Sequence, residues 1–169
     1  MFENSRKPSP KVTGLVRTGS DRELGPLPSR ELQELWFASL RKTWHTLALV
    51  PAQNGRSILP LAHALAVMGR FHRGAALRVI RAEGMGLEEI ADLTLGTVNS
   101  HARNEGGRIL VLEPITVNPF GTVIALTADA AILCLEYGVS TLDDARRTLD
   151  QIGRDRFVGT TMLQPERAG

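Results

Sequence analysis

The residues best placed to do chemistry lie in a short polar loop between an apolar strand and a helical segment. The strand is residues 46–50, and the helical segment is residues 58–69. Backbone N–H groups at the start of a helix are suited to holding phosphate or another anion. The loop residues that could form such a site are Gln53, Asn54, Gly55, Arg56 and Ser57. An ordinary strand-to-helix turn is the alternative interpretation of the same residues.

The loop lacks the cation that phosphate transfer normally requires. The sequence has no G-x-x-x-x-G-K-S/T motif, and its three lysines are Lys7, Lys11 and Lys42, all outside the loop. In such a motif the lysine reaches the β- and γ-phosphates. Only Arg56 is available in its place. The sequence therefore predicts a loop shaped for phosphate without its chemistry, and we assign no catalytic residue.

Length and composition predict one domain in a reducing compartment. The chain has 169 residues, of which 43% are hydrophobic, and this is enough for a single domain with a sizeable core. The single cysteine, Cys134, excludes an internal disulfide and is expected to be buried. No apolar stretch reaches the roughly 18 residues of a membrane span, and the N-terminus lacks the apolar segment of a signal peptide. We expect a cytoplasmic protein with no direct membrane span.

The charge balance does not indicate a nucleic-acid partner. Twenty basic residues face 18 acidic ones, and the net charge is only +2. A local cationic cluster is formed by Arg56, Arg70, His72, Arg73, Arg78 and Arg81. It fits a solvated face, or a surface for phosphate, an acidic partner or lipid headgroups. The four histidines have no metal-like spacing and one cysteine cannot complete a zinc set, so no metal site is predicted.

Alternating apolar strands and amphipathic helices predict a single α/β domain. Proline, glycine and scattered charge in residues 1–28 predict a flexible arm, followed by the domain at 29–164 and a short tail at 165–169. The expected strands are residues 46–50, 74–81, 109–112, 130–135 and 157–163, and the expected helices are residues 30–43, 58–69, 87–102, 122–127 and 142–152. Such alternation implies a mostly parallel sheet of about five strands with helices on both faces.

The first and last helices carry more specific predictions. Thr141 is expected to cap the last helix with Asp144 in a capping box. The expected buried stripe of that helix is Leu142, Ala145, Leu149 and Ile152. On the first helix, Trp36, Phe37 and Leu40 are candidates for a protein interface, and Trp36 and Trp44 fit either a core or an interface role.

Residues 30–163 resemble a known bacterial family in the order and spacing of their segments. Residues 31–41, with the strand, loop and Ala/Leu-rich helix that follow, look like the opening of the cytoplasmic tyrosine-kinase domains that accompany polysaccharide export. Residues 128–144 are similar to the family's alanine, aspartate, strand, glycine, threonine and helix segment, and residues 152–159 to its closing turn. These kinases are deviant-Walker ATPases, as are the partition ATPases, so the resemblance implies a P-loop NTPase-like fold.

The resemblance also implies which functional residues have been replaced. The family uses a loop lysine, an aspartate after the second strand and an aspartate after the third, to stabilise the transferred phosphoryl group and organise Mg²⁺. The matching positions hold Arg56, Arg81 and Glu113. The family's terminal tyrosine cluster has no counterpart, and its subunit-contact pattern of Glu-x-x-Arg-x-x-Arg meets Phe37 and Leu40 here. The Walker-type positions are therefore vestigial.

The resemblance implies a pseudokinase that binds no cofactor. We expect a bacterial regulatory or interaction module in exopolysaccharide or envelope assembly. Its expected protein partner is a membrane polysaccharide chain-length regulator or an active kinase, which would recruit it to the inner membrane. One alternative is a divergent active ATPase or kinase that uses ATP and Mg²⁺ through Arg56 and Glu113. Another is a self-assembling positioning protein, a homo-oligomer formed through the helix at 30–43.

Overall fold

Strands and helices alternate along the chain, as the sequence pattern predicts. The computed structural model describes residues 29–74, 76–102 and 106–164, so the predicted arm and tail lie outside the described residues. The elements are α1 (Arg30–Ser39), β1 (Thr46–Pro51), α2 (Leu59–Arg73), β2 (Arg78–Arg81), α3 (Leu87–Ala102), β3 (Arg108–Val111), α4 (Phe120–Thr127), β4 (Ala130–Glu136), α5 (Leu142–Ile152) and β5 (Phe157–Leu163).

The five strands of the described chain form one parallel sheet with the order β2-β3-β1-β4-β5. The central strand β1 pairs with β3 on one side and β4 on the other, with Leu47 opposite both Ile109 and Ala130. All six residues of β1 are buried. A continuous apolar strand of this kind needs cover on both faces. The predicted parallel sheet is therefore confirmed.

Two layers of helices provide that cover. The side chains of Leu47 and Leu49 point into a core with residues of α1 and α2, such as Trp36 and Leu65. The intervening residues of β1 pack in a second core against α3, α4 and α5. Cys134 belongs to the first core, as predicted, and burial raises the pKa of its thiol to about 12. Helices on both faces of the sheet are confirmed.

The boundary between α2 and β2 differs from the prediction. We expected the helix to end at Gly69 and a strand to begin at residue 74. The helix instead continues to Arg73 and ends at Gly74, whose φ of +66° is left-handed and suits glycine. Gly69 has a different role, because a Cβ there would overlap the side chain of Leu77. It allows close packing and does not stop the helix.

The capping box of α5 is confirmed, but its predicted buried stripe is partly wrong. The Asp144 N–H donates to Thr141 Oγ1 at 3.1 Å, and the Thr141 N–H donates to Asp144 Oδ2 at 3.2 Å. The buried residues are Ala145, Thr148 and Ile152, whereas Leu142 is 66% exposed. At about 100° per residue, Leu142 lies roughly a quarter turn from the centre of that face. Ile152 lies at the centre of the buried face, and Thr148 lies on the side of it away from Leu142.

Candidate functional site

The predicted phosphate loop follows β1 at the carboxyl edge of the sheet and borders a cleft of about 230 Å³. The carboxyl ends of parallel strands meet at this edge, where ligands of open α/β sheets bind. The lining residues are Pro51, Gln53, Asn54, Gly55, Arg56, Ser57, Ile58, Arg81, Glu83, Leu112, Glu113 and Pro114. The structure thus brings the five loop candidates together with Arg81 and Glu113, the two positions that were predicted to be vestigial Walker-type positions.

Arg81, at the end of β2, is paired with a neighbouring carboxylate. Its Nε and Nη2 atoms lie 3.1 and 2.9 Å from Glu83 Oε2. The arginine side chain is 66% exposed, so this ion pair contributes little stability. The Glu83 carboxylate offsets the positive charge of Arg81 at this edge of the cleft. The sequence prediction considered Arg81 and missed Glu83.

Glu113, just after β3, bridges two loops at the edge of the cleft. Its Oε2 accepts hydrogen bonds from the Gly84 N–H at 3.0 Å and from Asn118 Nδ2 at 3.2 Å. The carboxylate therefore ties the turn after β2 to the loop before α4. This bridging gives Glu113 a structural reason to be present that does not require a metal ion.

A carboxylate from β4 lies on the phosphate loop itself. The Arg56 N–H donates to Glu136 Oε2 at 2.8 Å, and Arg56 Nε lies 3.6 Å from Glu136 Oε1. A Cβ at Gly55 would overlap this carboxylate, so the glycine allows the close approach. The Glu136 side chain is only 16% exposed. The backbone N–H of Glu136 donates to Ser140 Oγ at 2.9 Å. An anion thus lies on this loop, and the chain itself supplies it.

The sequence offered one signal for Glu136 that we did not use. It directly follows the apolar run of β4, and residues at the carboxyl ends of parallel strands meet at one edge.

The neighbouring polar side chains of the loop form few hydrogen bonds. Ser57 Oγ accepts from the Leu59 N–H at 3.3 Å, whereas Gln53 Oε1 is buried without a hydrogen-bond partner among the described residues. Buried acceptors of this kind are uncommon.

A second and larger cleft of about 450 Å³ lies on the other side of Arg56. It is lined by Glu31, Arg56, Ser57, Pro60, Leu61, Met162, Leu163 and Gln164. It lies between the first turns of α1 and α2 and the end of β5. Arg56 therefore borders both clefts, but the charged strand ends face only the smaller one.

The predicted interface residues on α1 separate into a core residue and two surface residues. Trp36 is fully buried, and its ring contacts that of Trp44 with centroids 6.0 Å apart. Trp44 follows α1 and does not belong to it, because the helix ends at Ser39, four residues before the predicted end. Trp36 is thus a core residue and cannot contact a partner directly. Phe37 and Leu40 remain 54% and 38% exposed.

The described residues contain neither a cluster suited to a metal ion nor a helix suited to crossing a membrane. Across residues 29–74, 76–102 and 106–164, no group of three or more His, Cys, Asp or Glu side chains is placed to hold a metal ion. None of the helices in these ranges has the length and apolar character needed to cross a bilayer. The prediction that the protein works without a cofactor stays a prediction.

Known proteins support the fold. No family model and no curated protein matches this sequence. Among solved structures, the chain is similar to one described as the BceF tyrosine kinase domain, with a TM-score of 0.60 and 13% sequence identity. The match covers 78% of this chain and 73% of that one. The expected α/β fold of the P-loop kinase type is confirmed, and at this identity the similarity concerns the fold alone.

Proposed function

We propose that this chain is a catalytically inactive relative of the polysaccharide-export tyrosine kinases that acts by binding another protein. The observation that carries the proposal is the Glu136 carboxylate on the loop where a phosphate would bind. It accepts the Arg56 N–H at 2.8 Å and is mostly shielded from solvent. A nucleotide phosphate would have to displace this internal anion before reaching the backbone donor.

The charge around the cleft gives further support. Two cations, Arg56 and Arg81, and two carboxylates, Glu83 and Glu113, line the cleft. A third carboxylate, Glu136, lies against the loop at Arg56. Phosphate transfer requires positive charge around the transferred group. Without a lysine, and with each arginine beside a carboxylate, the cleft disfavours the negative charge of a polyphosphate. This charge balance supports the interpretation that the chain has the fold of a kinase domain but does not catalyse phosphate transfer.

The proposed role is regulatory, in exopolysaccharide or envelope assembly. Its support is the similarity in fold to a bacterial tyrosine kinase domain together with the altered cleft. The proposed partner is a membrane polysaccharide chain-length regulator or an active kinase. Cytoplasmic location and recruitment to the inner membrane by that partner are parts of the same proposal.

A divergent active nucleotide hydrolase or kinase is the second candidate. Glu113 lies at the position of a metal-side carboxylate, in the same cleft as Arg56. In that case Mg²⁺ would offset the carboxylates and Arg56 would replace the loop lysine. The two candidates make opposite predictions for nucleotide binding.

Calorimetry with ATP or ADP, with and without Mg²⁺, tests the proposal on the full chain. We expect no saturable binding and no ATP turnover. Mg²⁺-dependent binding that Arg56→Ala weakens, with turnover that Glu113→Gln abolishes, would establish the active alternative. Arg147→Ala is the matched control, because Arg147 is an exposed arginine of α5 outside the cleft.

The regulatory part needs a separate measurement. The rate of tyrosine phosphorylation by an active kinase domain of this family is measured with and without the chain. We expect a changed rate together with a complex detected by light scattering. An unchanged rate and no complex would remove the kinase as partner, whatever the result with nucleotides.

A further inference from the structure

The ends of α1 and α2 form an exposed aromatic surface far from the cleft. Phe37 is 54% exposed and Phe71 is 58% exposed. The two rings contact His72 edge-on, with centroids 5.3 and 5.7 Å from it. Val67, one turn before Phe71, is 60% exposed, and Leu40 is 38% exposed. These five residues are called the α1/α2 surface below.

This surface lies at the opposite end of the sheet from the phosphate loop. Helix α2 begins beside the loop and runs back toward the edge where the strands begin. Its last turn contains Phe71, and its end is followed within five residues by the start of β2 at Arg78. Phe37 and Phe71 do not line the two clefts beside Arg56. More than half of each side chain is exposed, so both rings face solvent.

Exposed cations lie at the ends of the two helices that carry the apolar residues. Arg41 and Lys42 follow α1, and Arg70 and Arg73 lie in the last turn of α2. The Arg73 guanidinium lies 4.5 Å from the centroid of the Trp44 ring, which places it beside the segment after α1. Among the described residues, none of these four cations forms an ion pair. The aspartate at this edge, Asp129, accepts the N–H groups of His45 and Thr46.

The excess of positive charge is confined to the α1/α2 surface and is not a property of the whole domain. Residues 1–28 contain five basic and three acidic residues, which leaves fifteen of each sign in residues 29–169. Acidic residues accompany the basic ones on α5 and in the turn after it, where Arg146 lies 3.9 Å from Asp143 and Arg154 pairs with Asp150. The α1/α2 surface therefore combines apolar side chains with positive charge that the described chain does not balance.

These features select among possible occupants. A second copy of this chain, related by a two-fold axis, would place like cations against each other, which is unfavourable. Single-stranded nucleic acid would use the rings for stacking, but Val67 and Leu40 cannot stack on bases. The surface of an anionic bilayer complements both kinds of group. Apolar side chains enter the headgroup region, and Arg or Lys side chains contact the lipid phosphates.

We propose that the α1/α2 surface binds directly to a bilayer that contains anionic lipid. Phe37, Phe71, Val67 and Leu40 insert at the level of the headgroups, and the cations contact the lipid phosphates. Binding is reversible and peripheral. It does not depend on whether the cleft at the other edge binds nucleotide, so the two proposals fail separately.

Vesicle co-sedimentation with the full chain tests this proposal. We expect binding to vesicles of mixed phosphatidylcholine and phosphatidylglycerol, little binding to phosphatidylcholine alone, and release by salt. The double variant Phe37→Ser/Phe71→Ser should lose about tenfold or more in partitioning, because each ring is already half in water and its transfer supplies the apolar part. Arg70→Glu should weaken binding to anionic vesicles only.

The matched control for the apolar variant is Val123→Ser/Leu126→Ser. These residues of α4 are 48% and 43% exposed and lie outside the α1/α2 surface. Arg154→Glu is the control for charge. Circular dichroism is used to check that each variant remains folded.

Three outcomes would overturn the proposal. One is no binding of the wild type to anionic vesicles. Another is equal binding by the wild type and the double variant, which would place any lipid contact elsewhere, such as on the basic residues of 1–28. The third is binding of an acidic peptide or single-stranded DNA through Arg70 without vesicle binding. That result would assign the surface to a different class of partner.

Discussion

At the carboxyl edge of the sheet the chain balances its own charges, whereas on the α1/α2 surface at the amino edge it does not. Arg81 is paired with Glu83, and the loop at Arg56 is bound by Glu136. At the opposite edge Arg70 and its neighbours form no ion pair among the described residues, and two phenylalanines are exposed. Carboxylates of the chain therefore occupy the charged groups around the loop, whereas the cations of the α1/α2 surface have no carboxylate partner among the described residues.

The largest expected effect separates the core beneath the α1/α2 surface from the surface itself. Trp36→Ala should lower the free energy of unfolding by about 3–5 kcal/mol, because the buried ring leaves a cavity in the core. Phe37→Ala should cost less than about 1 kcal/mol. Chemical denaturation measures both values. Similar losses for the two variants would mean that Phe37 is needed for folding and is not free for a partner.

The second effect concerns the closed edge. Glu136→Ala should free the Arg56 N–H and strengthen binding of inorganic phosphate at the loop by roughly tenfold, since a charge-assisted hydrogen bond is removed. The shift of the Arg56 amide resonance during an NMR titration with phosphate measures this. Glu83→Ala is the control, because it also removes a carboxylate from the cleft but not from the loop. Equal responses would attribute the effect to net charge alone.

A smaller effect tests how firmly Arg73 is held. Its guanidinium lies over the rings of Trp36 and Trp44, and partial burial lowers its pKa. Arg73→Ala should cost about 1 kcal/mol of stability through the lost cation–π contacts and change the tryptophan emission. Arg154→Ala, which removes an exposed ion pair, should cost less than about 0.5 kcal/mol and leave the emission unchanged. Equal losses for the two variants would mean that the cation–π contacts of Arg73 add nothing to stability.

The smallest effect is the dependence of the α5 cap on pH. The Thr141 hydroxyl and N–H hold the pKa of Asp144 below its usual 3.8. A pKa that is lower in the folded state stabilises the fold above pH 3.8, and this contribution is lost as the pH falls through the folded value. Asp144→Asn should remove this part of the pH dependence. An NMR titration in which the Asp144 carboxyl shows an ordinary pKa would contradict the prediction.

Local patterns predicted most of the secondary structure. The α5 capping box depends on two residues three positions apart, and the helix Leu87–Ala102 has the predicted bounds. The end of α2 was predicted wrongly, because Gly69 and Gly74 are both plausible stops in the sequence. Only the packing of Leu77 against Gly69 distinguishes close contact from a left-handed cap.

The sequence predicted some residues of the candidate site and missed others. The loop pattern and the family resemblance indicated the five loop candidates, Arg81 and Glu113. These residues line one cleft because parallel strands end at one edge of the sheet. Glu136 was missed because its partner Arg56 lies 80 residues away along the chain. The choice between core and surface for Trp36 depended on which face of α1 meets the sheet and α2.

The alternation of strands and helices, the burial of β1 and the lack of a loop lysine all follow from the sequence alone. Each of these features depends only on residue types and on short spacing along the chain. The tertiary structure alone decided that Glu136 binds the loop, that Arg81 is balanced by Glu83, and that Trp36 is buried while Phe37 and Phe71 share one exposed surface. Hydrogen bonds and ion pairs act over a few ångströms in space. Their partners are therefore fixed by the order of strands in the sheet and the side of the sheet on which each helix packs.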